Sequence, residues 1–390
     1  MPRNILIIGN GFDLYHKLPT RYSDFMFFAS EWDTFYQTYL LNCDKTGDQM
    51  QIRVPLTDRG ELTQEALAEF GKHSYLMDKK HIDFLNHHLR SNTWIQCFHQ
   101  RTDQGLLWID FEAEIQKVLY DVEEYSMVSI PRNVGKTSIE GLPDRLSRIG
   151  TIFGDAARNG YLNFSEVEVL EDYADKEKLQ ENKERLIEFM LDELNNLIKC
   201  LEYYLADFVS IIKCDYQSEQ IRQLGDVDIL NFNYTTTYQT IYRGTNVHEH
   251  HAVHGGITNG DIVLGIADEA FPDTHDYIRF QKYFQRIQKR TGSYYRDWLK
   301  EYEQDGLGGF FTKQVFIFGH SLGLADFGVL RIMFEHKGIE KIIIFHHDQS
   351  SYENLVINLV KAFDREKVVE MIGNGKVEFI QLDPPVAKEK

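Results

Sequence analysis

Short apolar runs that end in small or polar residues recur along the chain. The first covers residues 4–8, Asn-Ile-Leu-Ile-Ile, and gives way at once to Gly-Asn-Gly at residues 9–11. An apolar run without alternation is typical of a strand buried on both faces in a parallel sheet. Runs of the same kind predict further strands at residues 227–232, 262–265, 315–319 and 342–345. The pattern therefore predicts an α/β fold whose sheet is built from residues 1–15 and 225–350.

The middle of the chain has a helical period instead. Between Leu186 and Phe208, large apolar residues recur every three or four positions, whereas Glu188 and Asp192 lie on the other face. This spacing predicts one long amphipathic helix whose apolar stripe packs in a core. The same period is present at residues 79–89 and 111–122.

These two patterns divide the chain into an α/β core and a mainly helical insertion. We assign residues 1–40 and 221–390 to the core, which we expect to bind a nucleotide, and residues 41–220 to the insertion. With 43% hydrophobic residues the chain has enough apolar side chains to bury a core in each part.

The charge and composition of the chain narrow the range of partners and compartments that we expect for it. A formal net charge of −18 repels a phosphate backbone, which argues against nucleic acid. The chain has no signal-like start and no apolar run near the roughly 18 residues of a membrane span. Its four scattered cysteines form no Cys-x-x-Cys pair, so we expect reduced thiols, a cytoplasmic protein and no metal. A homo-oligomer is left open.

The turn after the first strand, residues 9–13, is the first candidate site. Its Gly-x-Gly pattern lets backbone amides approach phosphate oxygens, because glycine has no side chain to block them. Leu14 stands where a dinucleotide fingerprint has a third glycine, and a tight turn without ligand fits equally well. Asp13 could cap the following helix or contact a ribose hydroxyl.

Residues 231–236, Asn-Phe-Asn-Tyr-Thr-Thr, follow a second predicted strand. Open α/β sheets bind ligands at the carboxyl ends of their strands, which is where this segment falls. Asn233 could therefore orient a water molecule or a sugar hydroxyl. The alternative is an asparagine that supports the turn through bonds to its own backbone.

Residues 248–256 are dense in histidine, which suits a general base or a metal site. In an extended strand His248 and His250 share one face and His251 the other, so three ligands do not converge. We predict that His254, which precedes two glycines, is a base and that the other histidines face solvent.

Residues 319–323, Gly-His-Ser-Leu-Gly, imitate the nucleophile elbow of a hydrolase. The order of residues argues against an esterase, because an acid and then a histidine must follow the serine. The last histidine, His347, comes only 26 positions after Ser321. The same turn could instead contact a nucleotide sugar or phosphate, with Asp326 as a cap or ribose ligand.

Taken together, these segments resemble the bacteriophage abortive-infection AbiH family. The similarity spans nearly the whole chain, and its opening motif is specific. The matching segments occur in order at residues 8–13, 18–20, 22–25, 108–112, 232–235, 253–255 and 319–322, the last followed by Asp326.

That family is in turn remotely similar to sirtuin-like NAD-binding domains of phage-defence proteins. The resemblance implies a Rossmann-like, sirtuin-like parallel sheet that binds NAD as substrate or ligand, without metal. Position by position, it implies that Asn233 and His254 are catalytic. Residues it places around the nucleotide are Gly9, Asn10, Gly11, Phe12, Asp13, Thr20, Asp24, Tyr234, Gly255, Gly319, Ser321 and Asp326.

The activity implied is cleavage of the nicotinamide–ribose bond of NAD, with Asn233 holding water and His254 accepting its proton. One alternative is a regulatory module that senses a nucleotide without turnover. A nuclease or serine esterase is a third interpretation, which would require His250, His254 and either Asp261 or Ser321.

Overall fold

The computed structural model describes residues 3–41, 50–102, 110–127, 144–162, 176–242, 247–300 and 313–387. A six-stranded parallel sheet forms its centre, as the sequence predicted. The strands are β1 (Asn4–Ile8), β2 (Val227–Asn231), β3 (Val247–Ala252), β4 (Lys313–Phe318), β5 (Ile339–His346) and β6 (Val377–Gln381). A separate two-stranded antiparallel sheet pairs Tyr216–Gln217 with Val386–Ala387.

β1 lies at the middle of the sheet because both of its faces are apolar. Ile5 and Ile7 pack into one hydrophobic cluster, and Leu6 and Ile8 pack into another on the opposite face. The strand pairs with β2 on one side and β4 on the other. Both faces of β1 are therefore buried, and successive residues of the strand face opposite clusters.

The strand order, β3-β2-β1-β4-β5-β6, reverses direction between β1 and β4. In doubly wound sheets such a reversal opens a crevice at the carboxyl ends of the strands. Gly9 follows β1 and Gly319 follows β4, so both predicted glycine turns lie at this crevice.

Helices surround the sheet and account for most of the described part of residues 41–220, the predicted insertion. The helices are α1 (Asn10–Tyr15), α2 (Tyr22–Phe35), α3 (Gln64–Lys72), α4 (Lys79–His88), α5 (Thr93–Thr102), α6 (Phe111–Met127), α7 (Asp144–Arg158), α8 (Lys176–Tyr203), α9 (Glu219–Arg222), α10 (Thr237–Ile241), α11 (Lys282–Lys289), α12 (Asp297–Lys300), α13 (Phe327–Glu335), α14 (Gln349–Ala362) and α15 (Arg365–Gly373). Single π-helical turns, Tyr36–Leu40 and Tyr204–Val209, extend α2 and α8. The predicted helical segments are confirmed as α4, α6 and α8 with its π-helical extension.

The predicted strand at residues 262–265 is wrong. Val263 bonds to His254 through its main chain, and Leu264 pairs with the side chain of Gln285 rather than with a strand. A side-chain amide offers one donor and one acceptor, so it satisfies this apolar segment as a neighbouring strand would.

The edge strands β3 and β6 were not predicted as parts of the sheet. β3 carries three exposed residues in a row, His248, Glu249 and His250, and β6 mixes apolar and polar residues. Edge strands are solvated along one side, so they lack the continuous apolar run that marks central strands.

The largest hydrophobic cluster belongs to the helices. It contains the apolar stripe of α8 together with side chains of α2 and of residues 262–280. This cluster therefore takes in residues on both sides of the predicted insertion.

Candidate active site

A cavity of about 890 Å³ lies at the crevice, between the carboxyl ends of the strands and the insertion. Its volume is in the range of small-molecule sites, about 300 to 1,000 Å³. The insertion contributes Arg59, Asp110, Glu112, Leu201 and Leu205 to its wall. The predicted site residues that line it are Gly9, Asn10, Gly11, Asp13, Thr20, Asn233, Tyr234, His254, Gly319, Ser321 and Asp326.

Three predicted binding residues lie elsewhere. The ring of Phe12 is buried against Phe318 in the core. Asp24 accepts bonds from the backbone amides of Arg21 and Leu62, so it holds the segment after α1 in place. Gly255 is needed for its positive φ and its contact with Asp261, where a side chain would collide with the backbone.

The hydrogen bonds of the glycine turn favour the second of its two interpretations, a tight turn that contacts the protein itself. The amides of Gly9 and Gly11 donate to the carbonyls of Phe318 and Gly319, and the amide of Phe12 donates to Gly9. These three amides are therefore not available to phosphate oxygens. A Cβ on Gly11 would lie 2.7 Å from Cα of Gly319, so the glycines are required by the contact between the two turns.

Asp13 lies inside α1 and does not cap it, since the N-cap is Gly9 and no side chain caps the helix. Its Oδ2 accepts a hydrogen bond from the hydroxyl of Thr235 at 2.6 Å, which ties the first turn to the segment after β2. Burial raises the pKa of Asp13 to about 6, against the opposing effect of Thr235. Its Oδ1 is buried and has no hydrogen-bond partner among the described residues.

Asn233 is positioned by Asn231, whose Oδ1 accepts the amide of Asn233 at 2.8 Å and whose Nδ2 donates to Thr235. The turn is thus supported by Asn231 rather than by the side chain of Asn233. The Nδ2 of Asn233 is buried and makes no hydrogen bond to the described residues. It approaches Asp13 closely enough to lower the pKa of that carboxyl, but short of hydrogen-bond geometry.

His254 and Asp326 form a buried pair. Nε2 of His254 lies 2.8 Å from Oδ1 of Asp326, whose pKa is held well below its usual range by Lys282 and His254 despite burial. An ionised carboxylate accepts, so the imidazole proton is on Nε2 and Nδ1 carries a free lone pair. Burial lowers the pKa of His254 to about 4, which keeps the ring neutral near pH 7. Nδ1 is buried and has no partner among the described residues.

Behind this pair is a charged group that the sequence did not reveal. Nζ of Lys282, which is 1% exposed, lies 2.8 Å from Oδ1 of Asp326 and 2.8 Å from Oε2 of Glu112. Burial would lower the pKa of Lys282, but the two carboxylates raise it, so it stays an ammonium. His320 approaches Oδ2 of Asp326 at 3.5 Å. Asp326 stands at the start of α13 but its side chain caps nothing there.

The missed residues differ in how visible they were. Glu112 ends the segment at residues 108–112 that carried the family resemblance, so a role for it was within reach; Trp108 and Ile109 lie outside the described residues. Lys282 opens a helix with no motif around it, and only the fold brings it to Asp326.

The alternative chemistries find little support in the geometry. Ser321 is exposed and its hydroxyl bonds to no histidine among the described residues. His248 and His250 are exposed as predicted, but His251 is buried against Tyr295, so the prediction that it faces solvent is wrong. Within the described ranges no three His, Cys, Asp or Glu side chains are grouped to hold a metal ion.

A parallel sheet with the order of a dinucleotide-binding fold, and a cavity at its reversal, define a Rossmann-like α/β protein. Residues 5–347 match the family described as bacteriophage abortive infection AbiH, and the chain belongs to that family. No curated protein and no solved structure matches the chain. None of the described helices has the length and apolarity needed to cross a membrane.

Proposed function

We propose that this AbiH protein binds NAD in the cavity and hydrolyses its nicotinamide–ribose bond. The observation that carries the proposal is a set of three buried polar atoms that make no hydrogen bond to a described residue: Oδ1 of Asp13, Nδ2 of Asn233 and Nδ1 of His254. Each would destabilise the fold by about 1 to 3 kcal/mol if nothing bound it.

The chemistry of these atoms indicates the group they would bind. Two are acceptors and one is a donor, and hydroxyl groups can both donate and accept. A ribose with an attacking water molecule supplies such groups side by side. Asp13, Asn233 and His254 are each buried, which strengthens their electrostatic interactions.

In the proposed reaction, the bond between C1′ of the ribose and the pyridinium nitrogen breaks, and its electron pair neutralises the ring. Water held by Asn233 attacks C1′, and its proton passes to Nδ1 of His254 and then to solvent. The imidazole ring of His254 is a weak base. It is sufficient because an oxocarbenium-like transition state needs little push from the nucleophile. Asp326 stabilises the imidazolium that forms, and the Asp13 carboxylate places negative charge near the developing cation.

At the level of the cell, the proposal links NAD loss to abortive infection. Depletion of NAD in the cytoplasm after infection would stop the metabolism of the host and with it the phage. The insertion forms part of the cavity wall. The trigger of infection would therefore act on the insertion rather than on the reacting residues.

The proposal is tested by following free nicotinamide after mixing NAD with the purified protein, alone and with phage lysate. His254→Ala and Asn233→Ala are each expected to reduce release by at least about 100-fold, the usual contribution of a general base. His250→Ala is the matched control, because His250 is exposed and lies on β3, the strand that precedes His254. Equal release by His250→Ala and His254→Ala would contradict the proposal.

A second candidate is a nucleotide-sensing module without turnover. The lowered pKa of His254, which makes it a poor base at rest, favours this alternative. In that case NAD binds to folded protein, no nicotinamide is released under either condition, and His254→Ala leaves the dissociation constant unchanged.

A further inference from the structure

A group of basic side chains lines one edge of the cavity in a protein whose net charge is −18. They are Lys17 and Arg21, which follow α1, and Arg59, which belongs to the insertion. Arg21 is paired with Asp24, but Lys17 and Arg59 make no ion pair with any described residue. Like charges repel one another, so their gathering at a cavity edge suggests an anionic ligand group.

The structure holds Arg59 at this edge through a docked turn. Gly60 donates its amide to the carbonyl of Thr57, which closes the turn, and a Cβ on Gly60 would lie 2.7 Å from Cα of Lys17. Lys17 donates to the carbonyl of Asp58, and Arg21 donates to the carbonyl of Arg59. The side chain of Arg59 is exposed and makes no hydrogen bond or ion pair with a described residue, so the turn does not depend on it.

The inner wall of the cavity is acidic, although Glu112 and Asp326 there share the ammonium of Lys282. This wall carries the carboxyl groups of Asp13, Asp110, Glu112 and Asp326. A phosphate would be repelled there, and the amides of Gly9, Gly11 and Phe12 are already bonded within the protein. The basic edge is therefore the part of the cavity that suits a phosphate.

We propose that Lys17, Arg21 and Arg59 form the anchor for the pyrophosphate of the ligand, in place of the glycine turn. The inference rests on the proposed function of the cavity. It orients the ligand, with the pyrophosphate at the basic edge and the ribose and pyridinium ring toward the acidic wall. Because Arg59 comes from the insertion, binding the anion also joins the insertion to the core.

The test is calorimetric titration of the full chain with ADP-ribose, inorganic pyrophosphate and nicotinamide riboside, which has no pyrophosphate. Arg59→Glu is expected to weaken binding of ADP-ribose and pyrophosphate by about tenfold or more, because it removes a charge-assisted bond and adds repulsion. Binding of the riboside is expected to stay unchanged. The control is Arg53→Glu, since Arg53 is an exposed arginine of the same segment that pairs with Asp215 and does not line the cavity.

Two results would overturn the anchor: equal effects of Arg59→Glu and Arg53→Glu, or equal weakening of riboside and pyrophosphate by Arg59→Glu. Arg59→Ala repeats the test without an added carboxylate, and thermal unfolding shows that each variant is folded. Nicotinamide release is measured separately. If pyrophosphate binding depends on Arg59 but no nicotinamide is released, the hydrolase is refuted and the anchor is kept. If nicotinamide is released but the affinity for ADP-ribose does not depend on Arg59, the hydrolase is kept and the anchor is refuted.

Discussion

The buried carboxyl group of Asp13 makes the stability of the protein depend on pH. Its pKa is about 6 in the fold against 3.8 in the unfolded chain, because burial disfavours the charged form. Between these values the folded state binds more protons, so this contribution to stability is complete below about pH 4 and is lost as the pH rises through 6. The loss is about 3 kcal/mol for a shift of about two units.

We therefore expect Asp13→Asn to be more stable than the natural chain at pH 8, by up to about 3 kcal/mol, and equal to it near pH 4. The amide keeps an oxygen that can accept the bond from Thr235. Urea unfolding across this pH range measures the difference, with Asp273→Asn as an exposed control. A pH profile that is the same for Asp13→Asn and the natural chain would show that the carboxyl is not buried as described.

At the residue level, the sequence predicted side chains that follow strands better than side chains that meet across the fold. Asn233 follows the predicted strand β2, so position alone placed it at the cavity, whereas His254 was chosen because it precedes two glycines. The bond from His254 to Asp326 joins positions 72 apart, and the sequence had assigned these two residues to different parts of the ligand. Their chemistry as a pair depends on tertiary packing, which spacing does not encode.

Among elements, the contact between the turns after β1 and β4 is the closest packing at the site. Gly11→Ala would place a methyl group against the backbone of Gly319, and backbone cannot move aside as a flexible side chain can. We expect a loss of about 1 to 3 kcal/mol, as for other overpacked positions.

The matched control is Gly328→Ala in α13. Gly328 is exposed and has no atom near its added Cβ, so alanine should stabilise the helix by about 0.5 to 1 kcal/mol. Denaturant midpoints of the two variants should move in opposite directions. Equal small shifts would mean that the two turns are not in contact in solution.

Helices and strands were predictable from the sequence where the spacing of apolar residues alone decided which of the two would form. Central strands and the α8 stripe were found because burial on both faces, or on one helical face, leaves a direct period in the sequence. Residues 262–265 have the composition of a strand, but Gln285 takes the place of a partner strand. Which partner satisfies a backbone is a tertiary matter, so the local pattern could not separate these outcomes.

For the whole molecule, Lys282 is a buried charge that joins the insertion to the core. Its ammonium bridges Glu112 on α6 and Asp326 at the start of α13. Lys282→Met would leave two buried carboxyl groups facing each other, and breaking a buried pair in this way loses about 3 to 5 kcal/mol.

Glu112→Gln added to Lys282→Met should recover part of this loss, because only one carboxylate then remains. Burial already raises the pKa of Glu112 to about 7 with Lys282 in place. Urea denaturation of the single and double variants measures the coupling. Additive effects in that cycle would show that Lys282 does not bridge the two groups.

The central position of β1 also has a consequence during synthesis. Asn4 pairs with Val227, which is made 223 positions later, and the other neighbour of β1 begins at Lys313. At roughly 5 to 20 residues per second, this apolar strand waits about 10 to 45 s for its first partner. Until Asp326 has left the ribosome no complete cavity can exist, so a ribosome that stalls early is expected to release an aggregation-prone fragment that has no cavity.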